Sequence, residues 1–539
     1  MSDLKAMAPW ATLRPPVPGT TMNPIELSLF AARLTAICDE MGTVLRRTAF
    51  SPNIKDRLDF SCAVFDDQGE LCAQAAHIPV HLGSMAYAMA ALVREIPWQA
   101  GDLLAVNDPF LGGTHLPDVT LVEPVFAAEG ELAGFVANRA HHADIGCDSP
   151  GSMPISTRLE QEGRIIPPTL LLRGGQLQAD SLALLTGHDA GRLTGDFAAQ
   201  ASANRVGRQR LQVLVARHGL AGFRAGLAAL NDYGERLARR AVERLRPGQY
   251  RFTDYLDDDG IGTAPVPLHL VLSIADGEVV LDFSECPDQV PGNLNCPLPV
   301  TAAAAYYAMR CLMDPQTPAC AGTFRPVHLR TRPGSIVDAR RPAAVAAGNV
   351  ETSTRLVDVI LGGLAEALPE RIPAASQGSM NNIAMGRIDP RSGRRWDYYE
   401  TLGGGMGGGP SRAGLSGVHS HMTNTLNTPV ESVEMHYPLR VLRYQLRSGS
   451  GGPGRHPGGD GLVREYEFLE PARVSLITER RRLAPWGLAG GGPGARGENL
   501  LNGAPLPGKC QLEVQAGDRL EIRTPGGGGH GADTAVADV

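Results

Sequence analysis

The chain has 539 residues, too many for one hydrophobic core of ordinary size, and its 43% hydrophobic and 20% charged residues describe a folded chain rather than a disordered one. A formal charge of −7 with only 5% aromatic residues argues against nucleic acid, which needs a basic face and stacking surfaces. The opening "MSDLKAMAPWATLRPPVPGT" shows neither leader nor transit bias, and no uninterrupted apolar run of about 18 residues follows, so the expectation is a cytoplasmic chain with no membrane span.

Taken in chain order, a Pro-rich tail over 1–22 precedes "NPIELSLFAARLTAICDEMGTVLRRTAF", whose apolar spacing and Asn23-Pro24 start predict a helix over 24–48. "DFSCAVFDDQGELCAQA" alternates around a turn and predicts a hairpin, and a helix is expected near 84–96. "VTLVEPVF" and "LAGFVANRAHH" flank a turn at Ala127 to Glu131 and predict a second hairpin. Residues 204–246 read as two helices, or one interrupted at Gly219, followed by a hairpin through Asp276-Gly277 and helices near 300–313 and 353–368.

Beyond that the chain turns Gly-rich and is expected to be strand-like, with "GGGMGGGP", "GSGGPGRHPGGDG", "GGGPGARG" and "TPGGGGHG". The alternation of long helices with hairpins predicts an α+β chain of several lobes: one over 23–202, a helical and hairpin region over 203–345, and a Gly-rich region over 346–539. Nine cysteines without a C-x-x-C pair suit reduced, buried thiols, and Cys147 is read as incidental. The Gly runs lack a P-loop and are read as close backbone packing.

The chemistry gathers in "NDPFLGGTHLPDVT". His115 and Asp118 form a His-x-x-Asp pair after the Gly112-Gly113 turn, a donor set for zinc, manganese or iron. The hairpin carries "NRAHHADIG" back beside them, bringing His141, His142 and Asp144; on a strand only one of the adjacent histidines faces inward, leaving the other a substrate-facing or supporting role. Asp59 near Arg57 is a further possible ligand or an ordinary ion pair. His419 and His421 share one face if "GVHSHMTNT" is a strand, and otherwise line a polar loop.

These stretches, with "GNVETSTRLVDVILGGL" and "HSHMTNTLNTPVESVEMHYPLRVLRYQLRSGSGGPGRHPGGDG", resemble the hydantoinase B/oxoprolinase family from Asn23 to the end. The resemblance implies a B-type subunit working beside an A-type ATPase partner in a hetero-oligomer. The partner binds ATP and phosphorylates a small cyclic amide, while this chain holds a divalent metal and completes hydrolysis. It implies 23–202 as the metal-site domain, with His115, Asp118 and His141 as ligands beside the possible ligand Asp59, and 346–539 as the region that completes the active site and meets the partner. His142, Asp144, His419 and His421 are then the groups that orient water or substrate. Alternatives are the metal-binding subunit of an ATP-dependent ketone carboxylase, and a non-catalytic scaffold. The family's usual "DIGG" is "DIGC" here, at Cys147.

Overall fold

A computed structural model describes residues 22–532 apart from 76–77, 148, 187–192, 194, 389–394 and the side chain of residue 82, so of the tail expected over 1–22 only Met22 is described. Helix α1 (Pro24–Thr48) starts where the sequence predicts. Asn23 Oδ1 accepts from the Ile25 and Glu26 amides at 3.0 Å, and Glu26 returns a bond to the Asn23 amide. A short α2 (Pro52–Lys55) leads into a seven-stranded antiparallel sheet of β1 (Phe60–Asp66), β2 (Leu71–Gln74), β3 (Leu103–Val106), β4 (Asp118–Phe126), β5 (Leu132–His141), β6 (Thr169–Arg173) and β7 (Gln176–Leu177) in the order β2-β1-β5-β4-β3-β6-β7.

Helix α3 (Pro79–Glu95) begins a full turn before the expected 84, because Pro79 occupies the first helical position where its missing N–H costs nothing. After α4 (Ala179–Thr186), helix α5 (Gly195–Val242) is one long element broken by non-helical geometry at Gly219. By length and composition α5 could cross a bilayer, with a third of that window buried. It packs on α1, β4 and β5, and Arg208 pairs with Glu123 at 2.6 Å.

The first sheet is covered on both faces, which is why its strands read as nearly unbroken apolar runs. Cys62, Val64, Val136 and Ala140 pack toward α1 and α5, whereas Ala63, Phe65, Phe135 and Ala137 pack toward α3. The parity of each strand residue therefore states which helix layer it meets.

A second sheet joins β8 (Gly248–Leu256), β9 (Val266–Ala275), β10 (Glu278–Asp282) and β11 (Val327–Arg330), the β9–β10 turn falling at Asp276 and Gly277, both at positive φ. Helices α6 (Leu298–Arg310) and α7 (Ser353–Leu364) pack beside it. The C-terminal part holds β12 (Asn382–Ile388), β13 (Arg395–Glu400), α8 (Val430–His436), β14 (Leu439–Arg447), β15 (Gly461–Phe468), β16 (Ala472–Ile477), β17 (Glu498–Leu501), β18 (Ala504–Leu506), β19 (Lys509–Val514) and β20 (Arg519–Arg523), in two antiparallel sheets ordered β13-β12-β16-β19 and β14-β15-β20-β17-β18. The architecture is α+β, as expected.

The Gly runs themselves are not strands. Successive amides of segment 526–531 donate to different neighbours: Gly526 and Gly529 to Ala495 and Gly492, Gly527 and His530 to Gly459 and His456, Gly528 and Gly531 to Ala375 and Leu488. Its carbonyls accept from yet others, as Gly528 does from Gly408 and Gly527 from Gly452. The first two pairs of donors return to the same neighbouring segment three residues on, which is the repeat of an extended left-handed helix with three residues per turn. A flat strand has only two lateral neighbours; this one is bonded on several sides. Such packing leaves no room for side chains. A Cβ on Gly527 would lie 2.1 Å from the Met406 carbonyl oxygen.

Candidate metal centre

The hairpin register sets the site. β4 and β5 pair so that Asp118 stands directly opposite His141, across the strand pair. Both have the parity that faces α3, as do Ser61 on β1 and Thr120 and Arg139, whose side chains meet at 2.8 Å. The even-numbered His142 points the other way. Its Nε2 lies 2.9 Å from Gln200 Oε1 on α5 and its ring packs 4.4 Å from Phe197.

His115 is delivered by the loop before β4. Within "NDPFLGGTHLPD" the residues divide their work: Asn107 ties the loop, donating to the Leu116 and Arg164 carbonyls at 2.8 and 2.9 Å and accepting from the Ile166 amide. Asp108 turns to Arg341. His115 and Asp118 turn inward, with His115 Nε2 and His141 Nδ1 each 3.3 Å from Asp118 Oδ1. Thr114 Oγ1 donates to Asp118 Oδ2 at 2.6 Å.

One ligand atom from each of His115, Asp118 and His141 can be chosen so that all lie within 4.8 Å of one another, and all three residues are buried. They border a space of about 20 Å³, room for a single small occupant. The donor set fits a divalent ion on this chain's own evidence. Both ring nitrogens of His115 and Nε2 of His141 are shielded from water and lack a properly directed hydrogen bond. Buried polar atoms left in this state call for a ligand.

The electrostatics agree. Burial works to raise the Asp118 carboxyl, but His115 and His81 overcome it and hold it well below its ordinary range. Burial lowers His115, and Asp118 outweighs it, so that ring is shifted up; His141 is shifted down by burial. An ionised carboxylate between imidazoles is what a cation site requires.

Three residues that sequence reasoning missed complete the wall. His81, in the first turn of α3, places Nε2 3.2 Å from Asp118 Oδ2. Tyr399 of β13 stacks on His141 at 4.9 Å and 14°. Asn349 enters from a π-turn over Gly348–Thr352, its Oδ1 buried without a partner. The Pro79 start would have placed His81 on a helix beside the hairpin; for Tyr399 and Asn349, more than 200 residues away in sequence, no local signal exists.

Of the other candidates, Asp59 borders the same space and sits 4.0 Å from His81 and 3.8 Å from Arg57, outside the three-residue group. Asp144 lies on the flank, paired with Arg395 at 3.0 Å. His419 and His421 are not on a strand: His421 has φ +60, which breaks any alternation, and its Nε2 meets Asp358 at 3.1 Å. Both line a larger neighbouring chamber. His419 is pushed down to about 4 by burial, with Arg57 adding to it, and its ring nitrogens make no well-directed bond although the Asn427 amide lies beside them. Cys147 is buried with its thiol 3.3 Å from the Gln161 carbonyl, and none of the nine cysteines is in a disulfide.

A hairpin that presents a buried His-x-x-Asp and a second imidazole around an ion-sized space is a donor set of the kind that can hold a divalent ion. The chain belongs to the hydantoinase B/oxoprolinase family, whose sequence pattern it matches over residues 23–533. It is 40% identical to an uncharacterized protein of Methanocaldococcus jannaschii over 95% of this chain and 91% of that one. It is 39% identical to 5-oxoprolinase 1 of Arabidopsis thaliana over 94% of this chain but 42% of that protein, so it spans about two fifths of that relative. The fold superimposes on the ATP-dependent caprolactamase from Pseudomonas jessenii with a TM-score of 0.86 at 27% identity, covering 95% of this chain and 92% of that one.

Proposed function

We propose that this chain is the B-type subunit of an ATP-dependent cyclic amide hydrolase, acting on a substrate that an A-type ATPase partner has phosphorylated. The observation that carries the reading is the buried group His115, Asp118 and His141 around a space for one ion. The likeness to a caprolactamase and to a 5-oxoprolinase supports the ring-opening class.

A lactam carbonyl is a poor electrophile, and phosphorylating its oxygen produces an imidate with a good leaving group. His115, Asp118 and His141 would hold a divalent ion, which would supply Lewis-acid polarisation and a lowered pKa for water, from ~15.7 toward ~7. His81 and Thr114 hold the second oxygen of Asp118, which fixes the carboxylate's orientation. Tyr399 stacks on His141 and restricts its ring, while its hydroxyl is fixed by Asn382 at 2.8 Å. His419, kept neutral by burial, lines the neighbouring chamber, where its ring can accept a hydrogen bond from substrate. His421, held by Asp358, lines the same chamber.

The test is co-purification with the A-type subunit, followed by ATP turnover against hydantoins, 5-oxoproline, lactams and small ketones, with and without bicarbonate. Cyclic-amide-dependent turnover independent of bicarbonate supports hydrolysis. Dependence on bicarbonate assigns a carboxylase, and full activity in a metal-free His115→Ala variant reduces the chain to a scaffold.

A further inference from the structure

Glu351 is a buried carboxyl group that the chemistry above leaves unused. It lies in the π-turn Gly348–Thr352, is fully buried, and is not itself among the residues bordering the ion space. Burial pushes its carboxyl up to about 7, with Glu479 adding to the shift. A carboxyl group in such a place costs free energy unless its oxygens are used.

Glu351 Oε1 accepts two hydrogen bonds, from the Met380 amide at 3.0 Å and from Asn382 Nδ2 at 2.6 Å. Asn382, at the start of β12, uses both ends of its side-chain amide: Nδ2 also donates to the Ile477 carbonyl at 2.9 Å, and Oδ1 accepts from the Tyr399 hydroxyl at 2.8 Å. A carbonyl can only accept, so the Asn382 nitrogen must face Ile477 and its oxygen must face Tyr399. The Tyr399 ring stacks on His141 at 4.9 Å and 14°, and Arg57 Cζ lies 4.8 Å from the centre of the same ring. The hydroxyl sits on the ring's long axis, so its bond to Asn382 fixes where that axis points. Met380 borders the ion space as well, and so does Asn349, two residues before Glu351 in the same turn. One carboxyl group thus ties together three parts of the wall.

We propose that Glu351 is a positioning residue for the ion site: through Asn382 and the Tyr399 hydroxyl it holds the ring against which His141 is stacked, and through the Met380 amide and its own turn it holds the wall formed by Met380 and Asn349. The inference rests on the metal reading for what the His141 ring is aimed at, but not for the restraint of that ring.

The experiment titrates the full, metal-stripped chain with zinc and with manganese by calorimetry, and follows the His141 ring by NMR of the metal-free chain carrying isotope-labelled histidine, the signal being assigned by its loss in His141→Ala. Tyr399→Phe cuts the bond to Asn382 but keeps the stacked ring; it weakens metal binding about tenfold, as loss of a supporting contact does, and moves the His141 signal. Glu351→Ala does the same, and Glu351→Gln, which keeps an acceptor oxygen, restores both readouts. Tyr398→Phe is the control for a merely structural role: its buried hydroxyl bonds Glu400 instead, so the variant loses thermal stability and leaves metal affinity and the His141 signal at their wild-type values. Both readouts unchanged in Tyr399→Phe, or moved as far by Tyr398→Phe, overturn the proposal, and this pair decides even where Glu351→Ala fails to fold. Glu351→Ala that folds and keeps wild-type readouts overturns it too. A wild-type chain that takes up neither metal, with a His141 signal that still moves in Tyr399→Phe, sinks the metal assignment and leaves the positioning role standing.

Discussion

The first sheet and the Gly-rich bundle solve opposite problems. In the sheet the backbone repeats every two residues and side chains alternate between two helix layers, so one position can serve α5 while its neighbour serves the ion site: His142 meets Gln200, His141 meets Asp118. In the bundle the backbone repeats every three residues and its neighbours lie on several sides, so its glycines leave no room for side chains. One region places chemistry by which side chain it shows. The other is held together by how closely main chains approach.

The comparison breaks first in the bundle. Gly527→Ala forces a Cβ against the Met406 carbonyl and is expected to lose more than ~3 kcal/mol or prevent folding, whereas Gly503→Ala, with open space around it, costs about 1 kcal/mol from its left-handed φ alone. Denaturant titration of the two variants measures the difference. Equal losses would mean that the bundle tolerates side chains.

Next comes the sheet. Asp118→Ala removes the carboxylate shared by His115, His141 and His81 and is expected to abolish retained metal and ring-opening turnover while the fold persists. Metal content by mass spectrometry checks it, and metal at full stoichiometry in the variant rejects the assignment. His142→Ala, one residue from His141 but on the other face, is expected to retain metal and to lose about 1–3 kcal/mol, because Gln200 is left without its imidazole.

The last effect is read against pH. His419 has a folded pKa of about 4 against an ordinary 6.5, so between these values the unfolded chain binds the extra proton and stability falls with acid. The full loss is roughly 3 kcal/mol below pH ~4. His419→Gln should remove that part of the acid sensitivity. Glu162, pushed up to about 7 by burial, gives the opposite slope: its contribution is present below its ordinary pKa and is lost as pH rises toward 7. Glu162→Gln should therefore flatten the alkaline side of the same profile, which melting curves across pH 4–8 would follow.

Much of the first region was legible because its signals are local. The Asn23-Pro24 cap, the β4–β5 turn and the alternation at His141 and His142 each follow from a few neighbouring residues. The start of α3 was placed a turn late, and His81 was lost with it. The Gly runs are close backbone packing, as read, but not strand-like, since a Gly run shows no side-chain period from which two and three could be told apart. Of the two readings of His419 and His421, strand pair or polar loop, the loop is the one found, and the left-handed residue at His421 that excludes the strand carries no glycine to announce it. Tyr399 and Asn349 were invisible because only the tertiary fold, partly through Arg57 gripping the Tyr399 carbonyl at 3.0 Å, draws them to the hairpin.

Segment 526–531 donates only to partners that precede it in the chain: Ala375, His456, Gly459, Leu488, Gly492 and Ala495. As the polypeptide emerges from the ribosome, every one of those stretches is therefore made before the rod that must thread between them. The first sheet can close early on its own turns, while the Gly-rich half stays an open socket until its spindle arrives, a reason for such a chain to depend on chaperones during synthesis.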